Sequence, residues 1–237
     1  MTKPSGGNPQ TVLLVGASRG LGAAMAVEFV KRGWRVVGTV RGQARTALHD
    51  LADRHPGRVT IEQLDITKPD QIAALRERLA GGGCDMLFVN AGAANKDRAE
   101  TIAEVSTDEF VRLMLTNVLG VMRAVEGLQG LVRPDGLIGV MSSGQGSVSN
   151  NTTGGAEIYR ATKAALNQGM RSYAARQADG RRAMVLMAPG WIRTDMGGPN
   201  APFSIEETIP QIVDVLLAQE GKPGLRYLDR HARTVPW

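Results

Sequence analysis

Thr11-Val12-Leu13-Leu14-Val15-Gly16-Ala17-Ser18-Arg19-Gly20-Leu21-Gly22 decides the architecture. Its first five residues are apolar or β-branched, the composition of a parallel strand buried on both faces. A glycine-rich turn follows, then a helical stretch over 23–32 that stops at Gly33. A strand, a turn and a helix N-terminus in that order form an anion cradle. The turn lets a pyrophosphate approach main-chain N–H groups at the positive end of the helix. The glycines are spaced G-x-x-x-G-x-G rather than G-x-G-x-x-G, so a purely structural turn is the competing reading. The flanking strand and helix favour a dinucleotide, with Gly16, Ser18, Arg19, Gly20, Leu21 and Gly22 as its candidate contacts.

The next strand, over 35–40, ends in Val40-Arg41-Gly42, where NAD sites of this architecture carry an acid for the ribose hydroxyls. Here there is none. Arg41 and Arg19 instead offer two guanidinium groups that suit a ribose 2′-phosphate, so the pattern favours NADPH; solvated surface arginines are the bland alternative. A helix over 43–54 leads to a third strand over 58–64, ending in Asp65-Ile66-Thr67. Asp65 is placed either to meet an adenine amino group or to cap the following turn. A helix from Pro69 to about 79 leads to a fourth strand over 86–89. That strand runs into Asn90-Ala91-Gly92-Ala93, small enough for close backbone approach to a ligand. The alternation, without repeats, predicts a single-domain α/β fold: a doubly wound, seven-stranded parallel sheet of Rossmann type.

A long helix is expected over 107–127 with Asn117 at its middle, where an Asn packs or pairs more often than it catalyses. Pro134-Asp135-Gly136 reads as a turn before a fifth strand over 137–141, which ends in Ser142-Ser143. The loop 145–155 delivers the chain to a helix containing Tyr159-Arg160-Ala161-Thr162-Lys163 and running to about 179. Tyr159 and Lys163, four apart, leave one helix face together. The ammonium favours the phenolate and draws the tyrosine pKa down, making Tyr159 a candidate proton donor and acceptor. Alone, such a pair is common by chance. A sixth strand over 182–187 and a seventh over 224–228 bracket Pro189-Gly190 and a short substrate-binding segment over 191–207. Pro210 is expected to delay the intervening helix to about Thr208.

Residues 1–10 read as a flexible leader, with 11–237 forming the domain. Hydrophobic residues at 43% and charged residues at 22% describe an ordinary globular chain, and no run is long enough for a membrane span. One cysteine, Cys84, forbids an internal disulfide and suits packing; with no signal-peptide core, the expected compartment is the cytoplasm. Net charge +5 raises nucleic acid as a partner, but dispersed arginines and 4% aromatics argue against it.

Taken jointly, Gly16-x-x-x-Gly20-x-Gly22, Asn90-Ala91-Gly92, Asn117, Ser143, Tyr159-x-x-x-Lys163 and Pro189-Gly190 with Thr194 resemble the short-chain dehydrogenase/reductase family across 11–237. Within it, the 147–160 loop, the 191–199 segment and terminal Val235-Pro236-Trp237 are similar to C-factor/sniffer-like carbonyl reductases. The resemblance implies NADPH/NADP as cofactor and a catalytic set of Asn117, Ser143, Tyr159 and Lys163. Tyr159 would protonate the carbonyl oxygen and Ser143 would steady it. Lys163 would bond the nicotinamide ribose, and Asn117 would hold a water linking Lys163 to solvent. Pro189, Gly190, Ile192 and Thr194 would serve the nicotinamide end; Asp65, Ile66, Asn90, Ala91 and Gly92 would line the cofactor. No metal is implied. The Ser143–Tyr159 spacing exceeds that of most of the family, with Ser142 the alternative, and Glu157 puts a carboxylate near the pocket mouth.

The leading expectation is reduction of an aldehyde or ketone to an alcohol, the substrate being a small carbonyl or alcohol. Alternatives are alcohol oxidation by the same groups, an NADP-binding sensor or signalling protein, and a sugar epimerase or dehydratase. The resemblance also implies a homo-oligomer, dimer or tetramer, with Ala161, Ala164, Ala165, Gly169, Ala174 and Ala175 allowing close helix approach.

Overall fold

A computed structural model describes residues 9–237. The first strands are β1 (Thr11–Val15), β2 (Arg35–Val40), β3 (Val59–Gln63) and β4 (Cys84–Val89). β5 (Val132–Met141), β6 (Ala183–Ala188) and β7 (Gly224–Asp229) complete the sheet. Among the described residues these seven strands run parallel in the order β3-β2-β1-β4-β5-β6-β7. Parallel neighbours need crossover connections, so helices cover both faces. On one face lie α1 (Gly20–Lys31), α2 (Ala47–Arg54) and α7 (Ile205–Leu217), whose Phe29, Leu48 and Leu216 pack with Val12, Met86 and Val185. On the other lie α3 (Pro69–Arg78), α5 (Val121–Leu128) and α6 (Glu157–Arg176), whose Leu75, Val125 and Leu166 pack with Leu13, Leu87 and Ile138. The doubly wound sheet is thus the one expected. Among the described residues no helix is long and apolar enough to cross a membrane.

β1 pairs with β2 on one side and β4 on the other. Crossovers diverge there and open a crevice beyond the carboxyl ends of β1 and β4. Gly16 follows β1 and Asn90 follows β4, so both small-residue turns border it.

Several boundaries depart from expectation. Pro134-Asp135-Gly136 lies inside β5, where register jumps from Cys84↔Val132 to Met86↔Leu137. The apparent turn is a bulge, which tolerates proline because the ladder is interrupted there. α7 begins at Ile205, not near Thr208: Ser204 Oγ accepts from the Glu207 N–H at 3.1 Å, and Pro210 sits within the helix. Burial of Ile209, Ile212, Val213 and Leu216 outweighs the single main-chain donor that proline removes. α2 starts four residues later than expected, at Ala47, because His49 Nδ1 accepts from the Thr46 N–H at 3.1 Å. α6 stops at Arg176 rather than near 179. The helix expected over 107–127 is α4 (Thr107–Met114), a π-helical stretch (Leu115–Gly120) and α5 end to end.

Residues 1–8 of the expected leader lie outside the described residues. Gln10, its last residue, is pinned: its carbonyl accepts from the Arg35 N–H at 2.8 Å and its amide reaches Glu220. Cys84 is buried, and desolvation pushes its thiol up to about 12, as a packing role would have it.

A side chain on Gly139 of β5 would meet the Phe88 ring at 2.5 Å. Gly139→Ala should therefore lower stability by about 1–3 kcal/mol, read as a lower urea midpoint at unchanged m-value. An unshifted midpoint would show that the Phe88 ring yields freely.

Candidate active site

The crevice floor is built by close contact. Gly16 has φ 87°, and a Cβ there would lie 2.8 Å from the Ala91 nitrogen. Gly22 faces the same turn, where a Cβ would stand 2.0 Å from the Gly16 oxygen. Asn90 Nδ2 donates to that oxygen at 2.8 Å, tying the end of β4 to the end of β1. The Arg19 side chain does not cap α1, and no acidic residue occupies the first turn. The N–H groups and positive dipole of α1 therefore stay open to an anion, the property a pyrophosphate site requires. A groove of about 430 Å³ runs beside this end, bordered by Gly20, Thr194, Asp195 and Pro199. None of Ser143, Tyr159 or Lys163 is in its walls.

Arg41 and Arg19 are both exposed. Arg19 Nη1 lies 3.4 Å from Asp195 Oδ2, an exposed contact of the kind worth little. Asp65 takes the capping alternative, Oδ1 accepting from the Thr67 N–H at 2.9 Å and hydroxyl at 2.8 Å. Burial alone would raise its pKa; those bonds, with the charges of Arg41 and Lys68, bring it below the usual range. Ile66 is buried in the core beneath α5, its carbonyl against Gly120.

At the carboxyl end of β5, α6 brings the polar candidates together. Lys163 is 3% exposed, its Nζ donating to the Met141 carbonyl at 2.9 Å and lying 5.7 Å from the Tyr159 ring centroid. Desolvation lowers its pKa to about 8. Tyr159 is half-buried; desolvation is the largest effect and raises its pKa, with the Ser143 side chain and the Arg98 charge pulling it back. The sequence argument, in which Lys163 lowers this tyrosine, is thereby corrected: desolvation is the larger effect, and the cation that counters it is Arg98. Ser142 is buried, its hydroxyl donating to Asn167 Oδ1 at 2.6 Å, so Ser143 and not Ser142 faces Tyr159.

Asn117 occupies the π-helical stretch and is fully buried. Its Oδ1 accepts from the Ala93 N–H at 2.7 Å; its Nδ2 donates to the Ala93 carbonyl at 2.8 Å and to Thr162 Oγ1 at 3.0 Å. The side chain thus pins the Asn90–Ala93 turn to α6. A Cβ on Gly92 would lie within 3.4 Å of Asn117 Oδ1 and 3.6 Å of Lys163 Nζ. Pro189 and Gly190 leave β6, and Ile192 is buried in a bridge to Phe203. Thr194 Oγ1 accepts from the Gly197 N–H at 2.9 Å, closing the 191–199 segment on itself. Glu157 does not face the mouth: its Oε2 accepts from the Ile102 N–H at 2.7 Å.

Three features escaped the sequence argument. Arg98 stands 5.4 Å from the Tyr159 ring centroid. Tyr227 of β7 donates its hydroxyl to the Ser143 carbonyl. The Trp237 carbonyl accepts from the Ser147 hydroxyl at 3.2 Å and the Ser149 N–H at 2.9 Å, tying the loop after Ser143 to the chain end. An Arg in a loop and a Tyr in an edge strand carry no local signal; only the fold brings them to the site.

A family model described as short chain dehydrogenase matches residues 10–203. The C-signal of Myxococcus xanthus is 31% identical over 166 residues, 69% of this chain and 99% of that protein. A short-chain dehydrogenase/reductase of Burkholderia multivorans, solved with bound NADP, superposes with TM-score 0.96 at 62% identity, covering 97% of this chain and 100% of that one. A carbonyl reductase of Pseudomonas aeruginosa PAO1 in complex with NADP gives 0.89 at 32% identity, covering 97% and 100%.

With its pKa held at about 8, Lys163 costs stability wherever the folded chain must carry the ammonium. That cost is full below pH 8 and fades toward 10.5, because over this window the unfolded chain binds more protons. Wild-type stability relative to Lys163→Met should therefore rise by about 2–3 kcal/mol from pH 7.5 to 10. Urea unfolding at both pH values checks it, and a flat difference would refute the lowered pKa.

Proposed function

This chain belongs to the short-chain dehydrogenase family, and from that membership we propose that it reduces an aldehyde or ketone with NADPH, Tyr159 supplying the proton. The observation that carries the reading is the convergence of Tyr159, Ser143 and Lys163 at the carboxyl end of the sheet, beside an uncapped helix N-terminus. Bound NADPH supplies the hydride. Gly16, Gly20, Leu21 and Gly22 would hold its pyrophosphate on α1, Ser18 with Arg19 and Arg41 would serve its adenosine end, and Asn90, Ala91 and Gly92 would line it. Lys163 and Tyr159 would hold the nicotinamide ribose, Ile192 and Thr194 would fix the ring amide, and Pro189 and Gly190 would line that end.

Tyr159 gives its proton to the carbonyl oxygen, and burial keeps that proton in place at neutral pH until it is needed. Ser143 hydrogen-bonds the same oxygen as charge develops. Lys163, with a pKa near the working range, is the neighbouring group able to restore the proton. Asn117 acts through Ala93 and Thr162, keeping the turn and α6 in register. The same groups run in reverse for alcohol oxidation. A sensor without turnover is disfavoured by the complete set of Asn117, Ser143, Tyr159 and Lys163. The cofactor preference for NADPH over NADH rests on Arg19 and Arg41. Exposed Phe110, Val111 and Leu119, with the small residues of α6, support a homodimer or tetramer.

Tyr159→Phe should lower kcat by about 10²–10⁴ while NADPH still binds, measured at 340 nm and by fluorescence titration. Robust turnover by the variant would remove the proton-donor role. NADPH should bind at least about tenfold tighter than NADH, as charge-assisted bonds of roughly 1.5–3 kcal/mol require, and Arg41→Ala should erode the difference. Equal affinity in the wild type would defeat the assignment of Arg19 and Arg41. Light scattering should give two or four times 25.3 kDa; a monomer would remove the oligomer.

A further inference from the structure

Arg98 is a cation at the reacting group with no acid of its own. Its guanidinium carbon stands 5.4 Å from the Tyr159 ring centroid, and its Nη2 donates to the Met196 carbonyl at 2.7 Å. Among the described residues no carboxylate comes within ion-pair distance of it. A guanidinium has five N–H donors in a planar fork, and one of them is spent here.

The acids around the mouth are turned elsewhere. Glu157 faces the Ile102 N–H, Asp195 faces Arg19, and Asp97 Oδ1 accepts from the Ala99 N–H at 2.8 Å. That last bond, with the one from Asn95 Nδ2 to the Asp97 carbonyl, knits the turn that carries Arg98. The turn is fastened to the entry of α6, where the Ala156 N–H donates to the Arg98 carbonyl at 3.1 Å. Ala156 has φ 47°, a conformation that persists only where neighbours enforce it. The guanidinium is therefore held in place over Tyr159, half-buried, rather than swinging in solvent. A fixed, partly desolvated fork with free donors is the arrangement that recognises a carboxylate two-pronged. Met196, whose carbonyl Arg98 holds, presents an exposed apolar side chain from the same segment.

We propose that Arg98 makes the site selective for 2-oxo acids: it binds the carboxylate bonded to the carbonyl carbon while Tyr159 serves the carbonyl oxygen. The inference rests on the reductase reading above and names the substrate class for it. The plain alternative is a strut joining the 93–105 loop to the 191–199 segment.

Phenylglyoxylate and its methyl ester, with NADPH at 340 nm, separate the two. The wild type should prefer the acid in kcat/KM by tenfold or more. Arg98→Gln should cut that ratio at least tenfold, chiefly through the KM of the acid, and Arg98→Lys should restore part of it. A strut would lower both substrates alike and leave the ratio standing; that result, or a wild-type ratio near one, overturns the proposal. Failure of the reductase reading looks different: no NADPH oxidation with either compound or with neutral aldehydes. In that event fluorescence titration of the NADPH-loaded protein decides. Tighter binding of phenylglyoxylate than of its ester, abolished by Arg98→Gln, upholds the anion site, and equal binding overturns it.

Discussion

One buried ammonium sets the terms for the rest of the site. Lys163 has lost nearly all contact with water and has the Met141 carbonyl as its hydrogen-bond acceptor. A charge in that position loses solvation, and the bond to the Met141 carbonyl offsets part of that loss. A Cβ on Gly146 would stand 3.0 Å from the Lys163 backbone, and one on Gly92 would approach Nζ itself. α6 therefore seats against the ends of β4 and β5 in a single register, and Tyr159, one turn earlier, is carried to the cleft. The depressed pKa of Lys163 is the electrostatic expression of the same packing.

Behind Ser143 lies a further set of polar contacts that fixes it through the main chain. Ser142 donates to Asn167, Asn167 donates to the Gly146 carbonyl at 3.2 Å, and Tyr227 donates to the Ser143 carbonyl. The Tyr227 ring packs at 5.4 Å from Trp237, whose carbonyl holds the loop after Ser143. Buried polar groups are costly when unpaired, so a network whose members satisfy one another has few alternative arrangements. That restricts the Ser143 backbone and with it the direction of its hydroxyl. The last strand thus contributes to the site without touching the crevice.

The sheet was legible in the sequence because parallel strands buried on both faces must be continuously apolar, and Leu13-Leu14-Val15 or Met86-Leu87-Phe88-Val89 has no other comfortable home. The glycine turn was legible for a similar reason: Gly16 and Gly22 occupy places where a side chain would strike backbone. What was not legible depends on partners distant in the chain. Pro210 signals a helix break, but buried neighbours on α7 override it. Pro134-Asp135-Gly136 signals a turn, but β4 continues alongside and the ladder bulges instead. Asn117 gave no hint of π winding, which comes with its bonds to Ala93 and Thr162. Glu157 gave its charge but not its direction, and the Ile102 N–H that claims it lies 55 residues away.

The electrostatics of Tyr159 bear on the proton-donor role proposed for it. A phenol used as a base must spend part of its time ionised near neutral pH; one used as an acid must keep its proton until an oxygen arrives. Desolvation is the leading effect here, and it holds the proton on. Ser143 and the Arg98 charge oppose it without overcoming it. Lys163 Nζ lies 5.7 Å from the ring centroid, and its burial lowers its pKa to about 8. In the proposed reductase Tyr159 would therefore rest as the phenol, the form able to donate, while the same desolvation would oppose the phenolate in either direction of the reaction.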